Sequence, residues 1–325
     1  MDINSSTVFL AGATGLAGSA IISHLLELYP DVRIRAVYHK TSPHIEHKQV
    51  EYVQGDLRSL DGCRQLALGC DYAVMAAANT GGAAILESEP WGQINDNAIM
   101  NAQMLEAFTF ENVKRVVYVS SASLYQECEK DIREEELDLN KDPCMSHYGM
   151  GWVVRFIEKL CWFWHQRCGM EVLIARAANI FGPFDKFDPK TSHFIPAIIR
   201  KAVDRKNPFE VWGSPDVTRD VIYSEDIAEA IVAMLDNDTI RFDTFNIGSA
   251  TKISVANVVS LALKYAQYNP SAIKYQANKP STIRHRSLDC TKARELLGWK
   301  PRYTIESGIR KTTEWWIENR DWWRK

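Results

Sequence analysis

The stretch Thr7-Val-Phe-Leu-Ala11-Gly12-Ala-Thr14-Gly15-Leu16-Ala-Gly18 decides how this chain folds. Thr7–Ala11 is a short apolar run of strand character, and Leu16–Leu28 beyond it has helical periodicity. Between them Gly12 permits a tight turn, Gly15 lets the backbone approach a pyrophosphate, and Gly18 lets helix and strand pack closely. Phosphates bind well at such a helix amino-terminus, where free N–H groups and the helix dipole favour negative charge. A glycine-rich turn without a ligand is the competing reading, and the strand–loop–helix context weighs against it.

Working outward, further strands are expected at Ile34–Tyr38, Glu51–Gln54, Tyr72–Ala78, Lys114–Ser120 and Val172–Arg176, with helices over Asn97–Phe108 and Met150–Cys168. Strands alternating with helices predict an α/β fold, a doubly wound parallel (Rossmann) sheet with helices on both faces. Past Asn179 the texture changes. Phe181–His193 is rich in Pro, Gly and Asp and reads as a long loop, helical Phe194–Asp204 follows, and short elements run to the end. The expected organisation is a dinucleotide-binding domain over 1–180, with a return segment near 220–250. A smaller carboxyl-terminal substrate-binding domain takes 181–219 and 251–325, with a cleft between the two.

The chain has 325 residues, 46% of them hydrophobic and 24% charged, and a formal net charge of −3, which excludes disordered and coiled-coil classes. Near-neutral charge leaves no electrostatic footprint for nucleic acid or a membrane surface. No run approaches the ~20 apolar residues of a membrane span. The opening Met1–Gly12 segment has no basic region ahead of its apolar run and does not read as a secretory signal. Seven scattered cysteines without a Cys-x-x-Cys pair point to reduced thiols in a cytoplasmic protein, with no disulfide framework and no metal site. The four tryptophans of the last fourteen residues, at helical spacing, read as core packing rather than a nucleic-acid platform.

Where a dinucleotide fold that uses NAD places a carboxylate on the ribose, at the end of the second strand, this chain has His39 and Lys40. Basic side chains there suit a 2′-phosphate, so NADP(H) is preferred with NAD(H) possible. Asp56, followed by Leu57, can bring a carboxylate to the adenine amino group.

The glycine loop, Asp56, Ala76-Ala77-Ala78, Asn97 and Ser120-Ser121-Ala-Ser123-Leu-Tyr125 resemble the extended short-chain dehydrogenase/reductases of the nucleotide-sugar epimerase/dehydratase group. Ala178-Asn179-Ile-Phe-Gly182-Pro183, Ser192-His193-Phe-Ile-Pro196, Val211-Trp212-Gly213, Arg219-Asp220, Arg284/Arg286 and Leu297-Gly298-Trp299 are similar to motifs of the GDP-L-fucose synthase group. The resemblance covers nearly the whole chain. It implies that Ser121 hydrogen-bonds the sugar oxygen where hydride leaves or arrives, and that Ser120, Asn97 and the alanine run line the nicotinamide side. It also implies that Asn179, His193, Trp212, Arg219, Arg284 and Arg286 hold the nucleotide diphosphate and sugar. Bland alternatives are a core tryptophan for Trp212 and a surface ion-pair partner for Arg219.

Such enzymes carry Tyr-x-x-x-Lys at the start of the long helix, the lysine lowering the tyrosine pKa. Here one alignment frame pairs Tyr148 with Trp152, and the other pairs Met150 with Val154 and places Glu158 at an acidic position; neither contains the lysine. Tyr148, His147 and His193 are the candidates for moving a proton. Ser123 stands where the resembling synthases have a cysteine acid/base. The implied activity is hydride transfer at the 4-position of a nucleotide-activated sugar, GDP-linked by preference. The alternatives are a 4-epimerase or an epimerase–reductase, and, in another class, a silent NAD(P)-binding sensor. Members commonly pair as homodimers through two long helices, here Asn97–Phe110 and Met150–Cys168, with Trp152, Phe156, Leu160, Phe163 and Trp164 supplying apolar surface.

Overall fold

The computed structural model describes residues 2–82, 89–276 and 287–323. Its centre is a seven-stranded, fully parallel sheet made of β1 (Thr7–Ala11), β2 (Arg33–Tyr38), β3 (Val50–Gln54), β4 (Tyr72–Met75), β5 (Arg115–Ser121), β6 (Glu171–Ala177) and, returning late in the chain, β10 (Phe242–Ile247). The spatial order is β10-β6-β5-β4-β1-β2-β3, so the direction of winding reverses between β1 and β4. In doubly wound sheets that reversal opens a crevice at the carboxyl ends of the strands.

Both faces of the sheet are covered, as an all-parallel sheet requires. Val8 and Leu10 of β1 point into one buried cluster with helices α1 (Leu16–Leu28) and α6 (Ser224–Asp236). Phe9 and Ala11 point into the opposite cluster with α2 (Leu60–Ala67), α3 (Pro90–Phe110) and α4 (Tyr148–Cys168). The period-two alternation along one five-residue strand thus serves both layers.

A third cluster is built from later chain: β7 (Asn179–Phe181), α5 (Phe194–Val203), β8 (Phe209–Trp212), β9 (Thr218–Tyr223), β11 (Lys252–Ser254), α7 (Val255–Tyr265), β12 (Ile273–Gln276) and α8 (Ile305–Asn319). β7, β9 and β11 form one small sheet and β8 and β12 another. Trp316 stacks flat on Phe187 with centroids 4.1 Å apart, and Trp323 is buried with its indole N–H donating to the Asp185 carbonyl at 2.7 Å. Trp322, by contrast, is exposed.

Several expected boundaries move. The strand expected over Tyr72–Ala78 ends at Met75, which releases Ala76–Ala78 as open backbone beyond the sheet. The helix expected over Asn97–Phe108 begins earlier, with Pro90 in its first turn where a missing N–H costs nothing. The helix expected from Met150 starts at Tyr148 and ends on Gly169, whose φ of 72° makes the left-handed cap.

Candidate functional site

The glycine loop lies at the carboxyl end of β1, facing the winding reversal. Gly12 has φ +77°, and a Cβ there would stand 2.8 Å from the Ala76 carbonyl oxygen and from the Ala77 backbone. A Cβ on Gly18 would overlap the Gly12 carbonyl oxygen, whereas one on Gly15 would lie 3.3 Å from that oxygen. Gly12 and Gly18 are therefore fixed by packing, and Gly15, which caps α1, is the least crowded of the three. The Gly12 and Ala13 N–H groups both donate to the Val37 carbonyl at 3.1 Å, tying the loop to the end of β2. Thr14 is buried in the loop. The first-turn amides at Leu16, Ala17 and Gly18 have no acceptor one turn back, the ordinary condition of a helix start. A cradle that side chains would fill, set on a helix amino-terminus, fits a dinucleotide pyrophosphate.

His39 and Lys40 are exposed just past β2. Asp56 is clasped by Arg58, whose Nε and Nη2 reach its oxygens at 2.9 and 2.7 Å, and that guanidinium holds the carboxyl down at about 2. Arg58 also donates to Asp96 at 3.2 Å. This arginine was missed from sequence, although it stands two residues from Asp56. Leu57 is a core side chain, so it can present only backbone to a cofactor.

The open backbone after β4, expected to meet the nicotinamide, is clamped by Asn97. The Asn97 carboxamide accepts the Asn79 N–H at 2.9 Å and donates to the Asn79 carbonyl at 2.8 Å, imitating a strand partner. Its nitrogen also lies 3.6 Å from the Met150 sulfur. The same loop continues outward: Lys186 donates to the Thr80 carbonyl at 2.5 Å, and the Gly82 N–H donates to the Thr191 carbonyl at 3.1 Å. A Cβ on Gly82 would overlap the Ser192 carbonyl oxygen. Asn79, Thr80 and Gly82 thus bridge from the sheet to the loop that carries His193.

The two frames on α4 separate geometrically. Met150 reaches Asn97, and Val154 is buried in the sheet core. Trp152 instead turns outward, its indole donating to Asp142 at 3.1 Å, and Tyr148 is 44% exposed one turn earlier on the same stripe as Trp152 and Phe156. A rotation of about 200° around the helix separates Tyr148 from Met150.

Ser121 is half-buried at the end of β5, and its Oγ accepts the Ser123 N–H at 3.2 Å at the start of the 3₁₀ turn Ala122–Leu124. Ser123 is buried, and Gly151 packs so closely beneath it that a Cβ would stand 2.8 Å from the Ser123 carbonyl oxygen. The Ser120 hydroxyl is buried and donates to Glu158 at 2.6 Å, so only its backbone is left to meet a cofactor. Glu158 in turn takes the Arg176 guanidinium at 2.7 Å, Arg176 donates to the Tyr125 hydroxyl at 2.8 Å, and that hydroxyl donates to Asn246 at 2.7 Å. This buried network fixes the ends of β5, β6 and β10.

On the later layer, Arg219 is mostly buried, its guanidinium 5.9 Å from the Phe194 ring, and it joins no ion pair among the described residues. Burial alone holds its pKa below the ordinary value, and its Nε has no hydrogen-bond partner among the described residues. The reading of Arg219 as a surface ion-pair partner is corrected. Trp212 is 40% exposed at the end of β8, not a core residue, and Asn179 is exposed at the start of β7. His193 caps α5, its side chain 39% exposed and its Nδ1 3.5 Å from the buried Asp185 carboxylate. Arg284 and Arg286 lie outside the described residues. Among the described residues no His, Cys, Asp and Glu group is placed to hold a metal ion, and all seven cysteines are free.

Residues 8–248 match the NAD dependent epimerase/dehydratase family. The chain belongs to that family. Among curated relatives it is 27% identical to a GDP-L-fucose synthase of Sinorhizobium fredii, covering 98% of this chain and 97% of that one. It is 28% identical to a GDP-mannose 3,5-epimerase of Oryza sativa subsp. japonica, covering 95% and 81% respectively. Among solved structures, the UDP-glucose 4-epimerase of Thermotoga maritima superposes with a TM-score of 0.84 at 21% identity, over 96% of this chain and 99% of that one. A GDP-6-OMe-4-keto-L-xylo-heptose reductase from C. jejuni gives 0.83 at 20%, over 98% and 99%. At those identities the superpositions establish the shared fold.

Proposed function

We propose that this protein is an NAD(P)-dependent enzyme that transfers hydride at the 4-position of a nucleotide-activated sugar, GDP-linked by preference. The observation that carries the reading is Arg219. A buried guanidinium without an acidic partner among the described residues calls for an anion, and a sugar-nucleotide diphosphate supplies one. The relatives named for GDP-sugars support the guanine preference.

The dinucleotide would be held by the Gly12–Gly18 loop and the α1 amino-terminus, its adenine end near Asp56, and its nicotinamide end near Ala76–Ala78. When bound it supplies the hydride acceptor or donor. The protein's share is to seat the sugar between Ser121 and His193 and to move one proton. His39 and Lys40, exposed and without a carboxylate between them at the end of β2, favour NADP(H). The sheet with its helices forms the dinucleotide domain in this reading, and the third cluster the sugar-nucleotide domain. Trp152, Phe156 and Phe163, exposed on α4, supply the apolar face of a homodimer; Leu160 and Trp164 instead pack toward the sheet cluster. Free thiols and the lack of any helix long and apolar enough to cross a membrane among the described residues accord with a cytoplasmic site of action.

Met150 and Val154 favour a second reading, nucleotide-sugar binding without turnover, since neither side chain does proton chemistry. The test incubates the protein with GDP-, UDP- and dTDP-sugars and each oxidised cofactor. Reduced-nicotinamide absorbance with a product two hydrogens lighter supports the dehydrogenase. A new stereoisomer without absorbance change would make it an epimerase, and tight sugar-nucleotide binding with neither would favour the silent binder.

A further inference from the structure

With no tyrosine at position 150 and no lysine at 154, the site needs another group that can hold a proton in a defined direction. Asp185 is only 2% exposed. One of its oxygens accepts the Lys186 N–H at 2.7 Å and lies 3.5 Å from His193 Nδ1. The other oxygen is buried and has no hydrogen-bond partner among the described residues. A buried carboxylate that keeps an oxygen unmatched is costly unless a cation or a strong donor faces it. The His193 imidazole is such a donor, and it meets the carboxylate at the first oxygen, 3.5 Å away.

From this geometry we infer that Asp185 is a positioning residue for His193, in a reading that rests on the proposed function. The carboxylate takes Nδ1–H, so the neutral imidazole presents the Nε2 lone pair to the cleft beside the Asn79–Gly82 bridge. A proton leaving a substrate hydroxyl then goes to Nε2: the O–H bond breaks, the N–H bond forms, and the imidazolium charge is matched by Asp185, which gains no proton itself. The 3.5 Å separation is long for a hydrogen bond and is of the kind that shortens once a site is filled. The dyad's backbone is anchored from two sides: the Trp323 indole holds the Asp185 carbonyl, and His193 is pinned next to Ser192, whose carbonyl packs on Gly82.

The experiment reads the ring nitrogens of the 15N-histidine-labelled full chain by NMR without ligands, with His193→Gln assigning the signal. In the wild type the neutral ring is expected as the Nδ1–H tautomer. In Asp185→Asn, which preserves the side-chain shape and removes the charge, the ratio of Nδ1–H to Nε2–H is expected to fall about tenfold. Asp185→Ser serves as the second variant if the amide fails to fold. An Nε2–H tautomer in the wild type, or the same tautomer ratio in wild type and variants, would overturn the dyad. Because this readout involves no sugar nucleotide, the expected tautomers in a protein that turns over no sugar would sink the proposed function alone. Turnover with an unmoved His193 tautomer ratio would sink the dyad alone.

Discussion

The Asn97 side chain spans the site: its carboxamide closes both backbone groups of Asn79, at 2.9 and 2.8 Å, while its nitrogen touches the Met150 sulfur at 3.6 Å. One buried amide thus holds the backbone beyond β4 and abuts the first turn of α4. Asn97→Ala leaves the Asn79 peptide without partners. It is expected to lower stability by about 1–3 kcal/mol and to weaken cofactor binding about tenfold. Asn97→Asp, which keeps the acceptor and loses the donor, should fall between. Chemical denaturation and calorimetric cofactor titration check both, and unchanged cofactor affinity in Asn97→Ala would remove Asn97 from the site.

Two positions on α4 carry opposite expectations. Tyr148→Phe, on the outer stripe with Trp152, should leave turnover within about twofold of wild type. Met150→Tyr combined with Val154→Lys restores the phenol–ammonium pair on the inward face and should raise kcat by roughly tenfold or more, the usual scale of acid–base catalysis. A Tyr148→Phe variant slowed a hundredfold would return Tyr148 to the mechanism.

Arg219 sets stability against binding. Replacing an unpaired buried guanidinium by Met removes a desolvated charge while keeping the packing on Phe194. Arg219→Met is therefore expected to melt no lower than wild type while binding GDP-sugar at least tenfold more weakly. A variant that melts several degrees lower with unchanged affinity would show Arg219 to be a structural residue.

The loop glycines differ in kind. Gly18→Ala drives its methyl into the Gly12 carbonyl and should cost roughly 2–3 kcal/mol as well as cofactor binding. Gly15→Ala, whose methyl would stand 3.3 Å from the same oxygen, should fold with nearly wild-type stability and lose affinity for the cofactor. Melting temperatures and cofactor titrations of the pair distinguish packing from phosphate approach.

Asp220 makes stability fall with rising pH. Burial pushes its carboxyl up to about 6, against hydrogen bonds from the Ser249 amide and hydroxyl and the Leu288 amide. The folded state therefore binds this proton more tightly than the unfolded chain does. The contribution is full below about pH 4 and lost as pH rises through about 6. Relative to Asp220→Asn, wild type should lose roughly 3 kcal/mol across that window, read from urea midpoints at a series of pH values. A difference that stays flat from pH 4 to pH 7 would contradict it.

The glycine spacing, the apolar run Thr7–Ala11 and the periodicity of Leu16–Leu28 are local signals, and the helix bounds follow them to the residue. Strand ends were less legible. Tyr72–Ala78 is apolar throughout, but pairing stops at Met75, level with Ala11 where β1 ends. Ser120 and Ser121 look equivalent in sequence, yet alternate sides of β5 send the first into the Glu158 network and leave the second at the strand's end. Asp185 and Lys186 carried no signal within the Pro- and Gly-rich loop, since their partners, His193 and Thr80, are defined only by how that loop lies across the sheet.

What the sequence determined by itself is the doubly wound sheet and the phosphate loop at its head, because period, glycine conformation and helix-start chemistry act over a few neighbouring residues. Tertiary structure decided which residue of α4 meets Asn97, which serine is spent in the core, and which buried ion is left without a partner among the described residues. Each of those depends on residues brought together from distant parts of the chain, such as Met150 with Asn97 and Arg219 with Phe194. Burial and facing are properties of the packed chain, and no local pattern contains them.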